Sequence, residues 1–240
     1  MDSILSMTYS ILGGILPAFL WLWFWLREDK KNPEPKSRIS LAFLSGMLAV
    51  WPAIELERYL CGLLNSGICS LGITPSFVLI LTWATIEEVL KYIGAFFSSF
   101  YKNRHYNEPI DAVIYMISVA LGFSALENAL FISNLIDTGL IPHSIITGNS
   151  RFIGATLLHV ASSASIGVMM GLTFYKGKFI RIMSLLTGII VSITLHTIFN
   201  LLIIKVETNV FFVFSGVWVV VIVLFAIIEK IKTVKVTSSI

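Results

Sequence analysis

Residues 74–100 read TPSFVLILTWATIEEVLKYIGAFFSSF. The run is long enough to cross a bilayer, which takes about 20 apolar residues. It nevertheless encloses Glu87, Glu88 and Lys91. An ionisable residue at the centre of a span costs roughly 2.5–3.5 kcal/mol on insertion scales. Three within one helix therefore need partners. Glu87 and Lys91 are i,i+4 and Glu88 and Lys91 are i,i+3, so the lysine can neutralise either carboxylate on one helix face. Adjacent glutamates point about 100° apart. That spacing predicts a division of labour, with one as a base and the other pairing with Lys91 or orienting a neighbour.

The rest of the chain has the same character. Its 240 residues are 56% hydrophobic and only 13% charged, against about 25% charged in a soluble domain. Lipid must be the solvent for much of it. Seven runs qualify as spans: 4–26, 39–57, 74–100, 109–134, 151–174, 181–204 and 209–229. The expected fold is an all-α polytopic bundle, one integral membrane domain over 1–240, with a motif-bearing core over 74–204. The first run lacks a basic n-region and exceeds the length of a signal-peptide h-region. It ends in Trp21, Trp23 and Trp25 before Arg27, an interfacial belt with a charged stop, and reads as a retained helix. The scattered basic residues form no nucleic-acid footprint.

The positive-inside rule orients the bundle. Links one, three and five and the C-terminal tail carry Arg27, Lys30, Lys31, Lys36, Arg38, Lys102, Arg104, Lys176, Lys178, Arg181, Lys230, Lys232 and Lys235, against Arg58, Arg151 and Lys205 on the other side. The expectation is an N-terminus outside and a C-terminus in the cytoplasm. Cys61 and Cys69 then share an outer loop, where the oxidising side permits a disulfide. Two free thiols are the alternative.

Other spans answer the charges of the third. Span four holds Glu127 and Asn128, span five holds His159, and span six holds His196 and Asn200. At about 1.5 Å per residue, Glu88 lies roughly 16–20 Å and His159 roughly 12 Å from the outer face. The same count puts His196 about 8 Å below that face. Four helices thus offer polar groups to one slab in the outer half of the bilayer. A desolvated glutamate can act as general base toward water. Histidine can relay a proton, polarise a carbonyl or bind a metal. An asparagine can donate to an oxyanion. Ser162, Ser163 and Ser165, with Gly167 and Gly171, read as packing residues that let helices approach closely. Asp111, behind Pro109 at a helix start, reads as structural. Two histidines and a glutamate also suit zinc, with His159 and His196 as candidate ligands.

The motifs EEVLK (87–91), EPIDAVIYMISVALGFSALEN (108–128), Arg151 with His159 eight residues beyond it and the glycines that follow, and HTIFN (196–200) stand in order on four helices. In that order they resemble the motifs of the PrsW family, intramembrane proteases of glutamic type that are distantly similar to type II CAAX prenyl endopeptidases. The resemblance spans residues 83–200. It implies that Glu87 and Glu88 supply activated water and that Glu127, His159, His196 and Asn200 complete the site, with Lys91 and Asn128 in support. It also implies a single-span membrane protein as substrate, with anti-sigma factors the best-known class, cut near the outer face. It leaves a metal-free Glu/His mechanism open beside zinc.

Other functions fit parts of this pattern. A proton-coupled transporter or channel would use the same ionisable groups, but no paired half-helices or inverted repeats are evident. A bis-histidine haem protein would use His159 and His196. A non-catalytic scaffold would hold a partner helix in the same groove.

Overall fold

The run that starts at Pro109 becomes the axis of the fold. In the computed structural model, which describes residues 3–29, 32–63, 76–137, 154–205 and 210–234, seven α-helices follow one another and no strand occurs among the described residues. They are α1 Ser3–Trp25, α2 Lys36–Leu63, α3 Phe77–Ala95, α4 Pro109–Asp137, α5 Thr156–Leu172, α6 Lys178–Lys205 and α7 Val210–Ile231. A 3₁₀ turn (Leu26–Asp29) follows α1, and a π-turn (Phe96–Phe100) follows α3.

Helix α4 is buried along almost its whole length, with α1, α2, α3, α5 and α7 packed around it. Its start is fixed locally. Asp111 Oδ2 accepts from the backbone N–H groups of Asn107 and Glu108 at 2.8 and 2.7 Å, satisfying donors that a helix N-terminus leaves orphaned. The crossing of α2 over α4 is set by two glycines. A Cβ on Gly46 would overlap the Val119 carbonyl, and one on Gly122 would overlap the Phe43 carbonyl. Backbones meet there because neither residue has a side chain, as small residues allow between membrane helices.

Among the described residues, four helical segments are long and apolar enough to cross a membrane: Met7–Asp29, Lys36–Leu63, Pro109–Ile136 and Lys178–Ile203. The protein is a multi-pass membrane protein. Helix α5 is apolar but shorter. It is buried on all sides, with α4, α6 and α7 as its main neighbours, so its surroundings are protein.

Helix ends differ from those read in the sequence. Helix α2 continues to Leu63 rather than ending at residue 57. The charges that ended the apolar run, Glu55 and Arg58, pair at 3.1 Å on the exposed face and leave the opposite face to continue inward. Helix α3 is capped by Ser76, whose Oγ accepts from Leu79 N–H at 3.3 Å. Cys61 is buried near the end of α2, while Cys69, Arg151 and most of the link 135–150 lie outside the described residues.

Candidate active site

Helix α3 turns one stripe inward: Leu79, Ile80, Ala84, Glu87, Glu88, Lys91 and Ala95 are all buried. The stripe places both carboxylates and the ammonium against α4, α5 and α6. Lys91 is fully buried, and its Nζ donates to Glu87 Oε2 at 3.1 Å and to Glu88 Oε1 at 2.8 Å. It also lies 2.8 Å from His159 Nδ1 and 4.3 Å above the ring of Phe123.

Glu88 is the most saturated group of the cluster. Its Oε1 accepts from Lys91, from His196 Nδ1 at 2.8 Å and from Ser162 Oγ at 3.2 Å. Its Oε2 accepts from Ser163 Oγ and from Ser192 Oγ, both at 2.7 Å. No part of its side chain is exposed. Charge-assisted hydrogen bonds of this kind are the strong ones, and they tie α3 to α5 and α6. Ser162 and Ser163 are thus donors to a carboxylate as well as small packing residues, and Ser192 joins them.

Glu87 is placed differently. Its side chain keeps 12% exposure, and its Oε2 lies 3.7 Å from His159 Nδ1 and 3.9 Å from His196 Nε2. The two imidazoles stand edge to face, 5.1 Å between centroids. Hydrogen bonding assigns their tautomers. Lys91 can only donate, so His159 Nδ1 accepts and its proton sits on Nε2, which donates to Glu127 Oε2 at 2.7 Å. Glu88 as a carboxylate only accepts, so His196 donates from Nδ1 and turns an Nε2 lone pair toward Glu87.

Of the residues singled out in the sequence, Glu87, Glu88, Lys91, Glu127, His159 and His196 come together in one network drawn from four helices. Asn200 lies one turn beyond His196, half-buried, outside these hydrogen bonds. Asn128 faces another way: its Nδ2 donates to Ser124 Oγ and Thr156 Oγ1, both at 3.1 Å, joining α4 to α5. Sequence reading passed over Glu57. It falls on the buried stripe of α2 and lies in electrostatic range of Glu87, Glu127 and Lys91. The four-residue step from Ala53 through Glu57 to Cys61 was the available signal.

Glu87, His159 and His196 each offer one ligand atom, all within 4.8 Å of one another. Two imidazoles and a carboxylate are a zinc-type donor set. Lys91 is the one obstacle, since its ammonium contacts two of the three.

A buried Glu/His/Lys cluster between membrane helices defines a polytopic membrane protein built around an ionisable intramembrane centre. Residues 34–228 match the family described as PrsW family intramembrane metalloprotease. The chain is 33% identical over 168 residues to Protease PrsW of Bacillus subtilis, covering 70% of this chain and 67% of that one. It is 31% identical over 169 residues to Protease PrsW of Geobacillus kaustophilus, with the same coverage, and 27% identical over 196 residues to Protease PrsW of Clostridioides difficile, covering 79% and 76%. No solved structure matches the chain. The chain belongs to the PrsW family of membrane proteases.

Proposed function

We propose that this protein hydrolyses a peptide bond within or beside the membrane, with Glu87 as the base that activates water. The observation behind this choice is the contrast between the two glutamates. Glu88 is fully enclosed by five donors, whereas Glu87 keeps exposed surface and faces the His196 Nε2 lone pair across 3.9 Å. A water between them can donate one hydrogen to Glu87 Oε2 and the other to His196 Nε2.

In the forward step Glu87 takes a proton from this water as its oxygen attacks the carbonyl carbon. The proton then passes from Glu87 to the leaving amine as the C–N bond breaks. Lys91 Nζ lies 3.1 Å from Glu87 Oε2 and orients that carboxylate. Glu88 holds His196 in the tautomer that leaves Nε2 unprotonated, the role carboxylates play behind catalytic imidazoles. Glu127 fixes the His159 ring in the same way. We assign donation to the oxyanion to Asn200, one turn from His196. A divalent cation would be held by Glu87, His159 and His196 and would supply Lewis-acid polarisation and a more acidic water. Forming that ligand set requires Lys91 to release His159 Nδ1.

The charge bias of the links supports seven spans, with the N-terminus outside, the C-terminus in the cytoplasm and the site in the outer half of the bilayer. The substrate class is a single-span membrane protein cut near the outer face, an anti-sigma factor or similar regulator. Support for that class is the motif resemblance. The experiment is reconstitution of the purified protein in liposomes with a single-span reporter. A fragment with a new N-terminus in the outer third of the span is expected. Proton flux without any cleavage would favour the transporter reading instead.

A further inference from the structure

Two buried polar atoms beside the site have no hydrogen-bond partner among the described residues: Glu57 Oε1 and Trp83 Nε1. One is an acceptor and the other a donor. Leaving either buried and unsatisfied gives up its hydration with nothing in return, at greater cost for a charged group. Such a pair next to a reactive centre needs a reason.

Both atoms are buried, although each residue keeps some exposed surface. Along α2 the buried residues run Gly46, Ala49, Val50, Ala53 and Cys61, and Glu57 sits between the last two at four-residue steps. Its neighbours on the helix, Glu55 and Arg58, pair with each other on the exposed side. The charged groups facing Glu57 are Glu87 and Lys91 on α3 and Glu127 on α4. Trp83, half-buried, lies one turn before Glu87 on α3. Helices α2 and α3 pack against each other. A third unpartnered atom, Trp25 Nε1, has a different setting. Its ring stacks on Phe225 at 4.6 Å, between α1 and α7.

A spanning substrate helix satisfies its own backbone. Its scissile bond becomes accessible only when a turn unwinds, and unwinding strands N–H and C=O groups where water is scarce. We propose that Glu57 and Trp83 form a subsite for this unwound backbone, Glu57 accepting from a substrate peptide N–H and Trp83 donating to a substrate peptide carbonyl. The contact is to the main chain, so the subsite selects a segment that can unwind rather than a particular side chain. It works as strand addition does, where main-chain hydrogen bonds supply affinity. The proposal rests on the peptidase reading, and its test separates the two.

The probe is a fluorescent single-span Leu/Ala peptide with a Gly-Gly pair in its outer third. A matched set replaces successive peptide bonds around that pair with esters, one at a time, each removing one N–H. Affinity is measured in detergent on the Glu87→Gln protein. At least one ester probe is expected to bind about tenfold more weakly than the all-amide probe. In Glu57→Ala and Glu57→Gln that difference shrinks to less than twofold, and Trp83→Phe weakens all probes severalfold, with unfolding midpoints preserved. Equal binding of amide and ester probes, or the same ratio after Glu57→Ala, overturns the subsite. Cleavage of the all-amide probe by the unsubstituted protein is scored in parallel. Backbone-dependent binding without cleavage keeps the subsite and overturns the peptidase. Cleavage without amide–ester discrimination does the reverse.

Discussion

Lys91 Nζ and His159 Nδ1 are 2.8 Å apart. An ammonium can only give protons, so this contact sets the histidine's tautomer and turns its own proton toward Glu127. The same ammonium balances Glu87 and Glu88, and it does so with no exposed surface of its own. Lys91→Met leaves two buried carboxylates without their counter-charge. Removing one partner of a buried ion pair costs about 3–5 kcal/mol. Unfolding in detergent is expected at a markedly lower temperature, and Glu88→Gln added to Lys91→Met is expected to recover part of the loss.

Zinc affinity reads the same contact from the other side. With Lys91 replaced by Met, His159 Nδ1 is released beside Glu87 and His196. Calorimetric titration is expected to show zinc binding at least tenfold tighter, about 1.4 kcal/mol, in Lys91→Met than in the unsubstituted protein. Equal affinity would mean that these three donors are not the ligand set.

The crossing of α2 and α4 is expected to be intolerant of volume. Gly46→Ala and Gly122→Ala each drive a methyl into a carbonyl of the opposite helix. Overpacking of this kind costs about 1–3 kcal/mol. Both variants are expected to unfold at lower temperature, whereas Gly177→Ala, which has open space around it, is expected to unfold with the unsubstituted protein.

Glu34, in the link between α1 and α2, carries a pH signature. Burial pushes its carboxyl from 4.5 up to about 7, opposed by the hydrogen bond it accepts from Tyr115. The folded state therefore holds the proton more tightly than the unfolded one. Its contribution to stability is full below pH 4.5 and is lost as pH rises through 7. Melting in detergent across pH 4.5–8 is expected to show this loss, and Glu34→Gln is expected to reduce it, with Asp29 and Asp111, each pushed up to about 6 by burial, carrying the rest.

Much of this arrangement is legible in the sequence because lipid imposes a simple code. Apolar runs of about 20 residues mark helices, and the seven runs correspond to α1 to α7. Charges inside those runs, such as Glu88 and His196, announce that they must meet, and the structure brings them together. Other features carry no such mark. Ser163 and Ser192 look like small packing residues, and only the fold shows their hydroxyls aimed at Glu88. Asn128 resembles a site residue by position, yet it joins α4 to α5. Glu57 stands where hydropathy ends a span, so its inward face is hidden behind the exposed Glu55–Arg58 pair. The extra turns of α2 escape for the same reason.

Glu87→Gln and Glu88→Gln separate the base from the anchor. Glu88→Gln removes the charge and turns one of the two accepting oxygens into a donor, so losses of both stability and activity are expected. The decisive measurement is the cleavage rate of a single-span reporter by purified Glu87→Gln in liposomes, beside its unfolding temperature. Water activation by Glu87 predicts a fall of about 10²–10⁴-fold with near-normal unfolding. Cleavage within a few-fold of the unsubstituted rate would show that Glu87 is not the base.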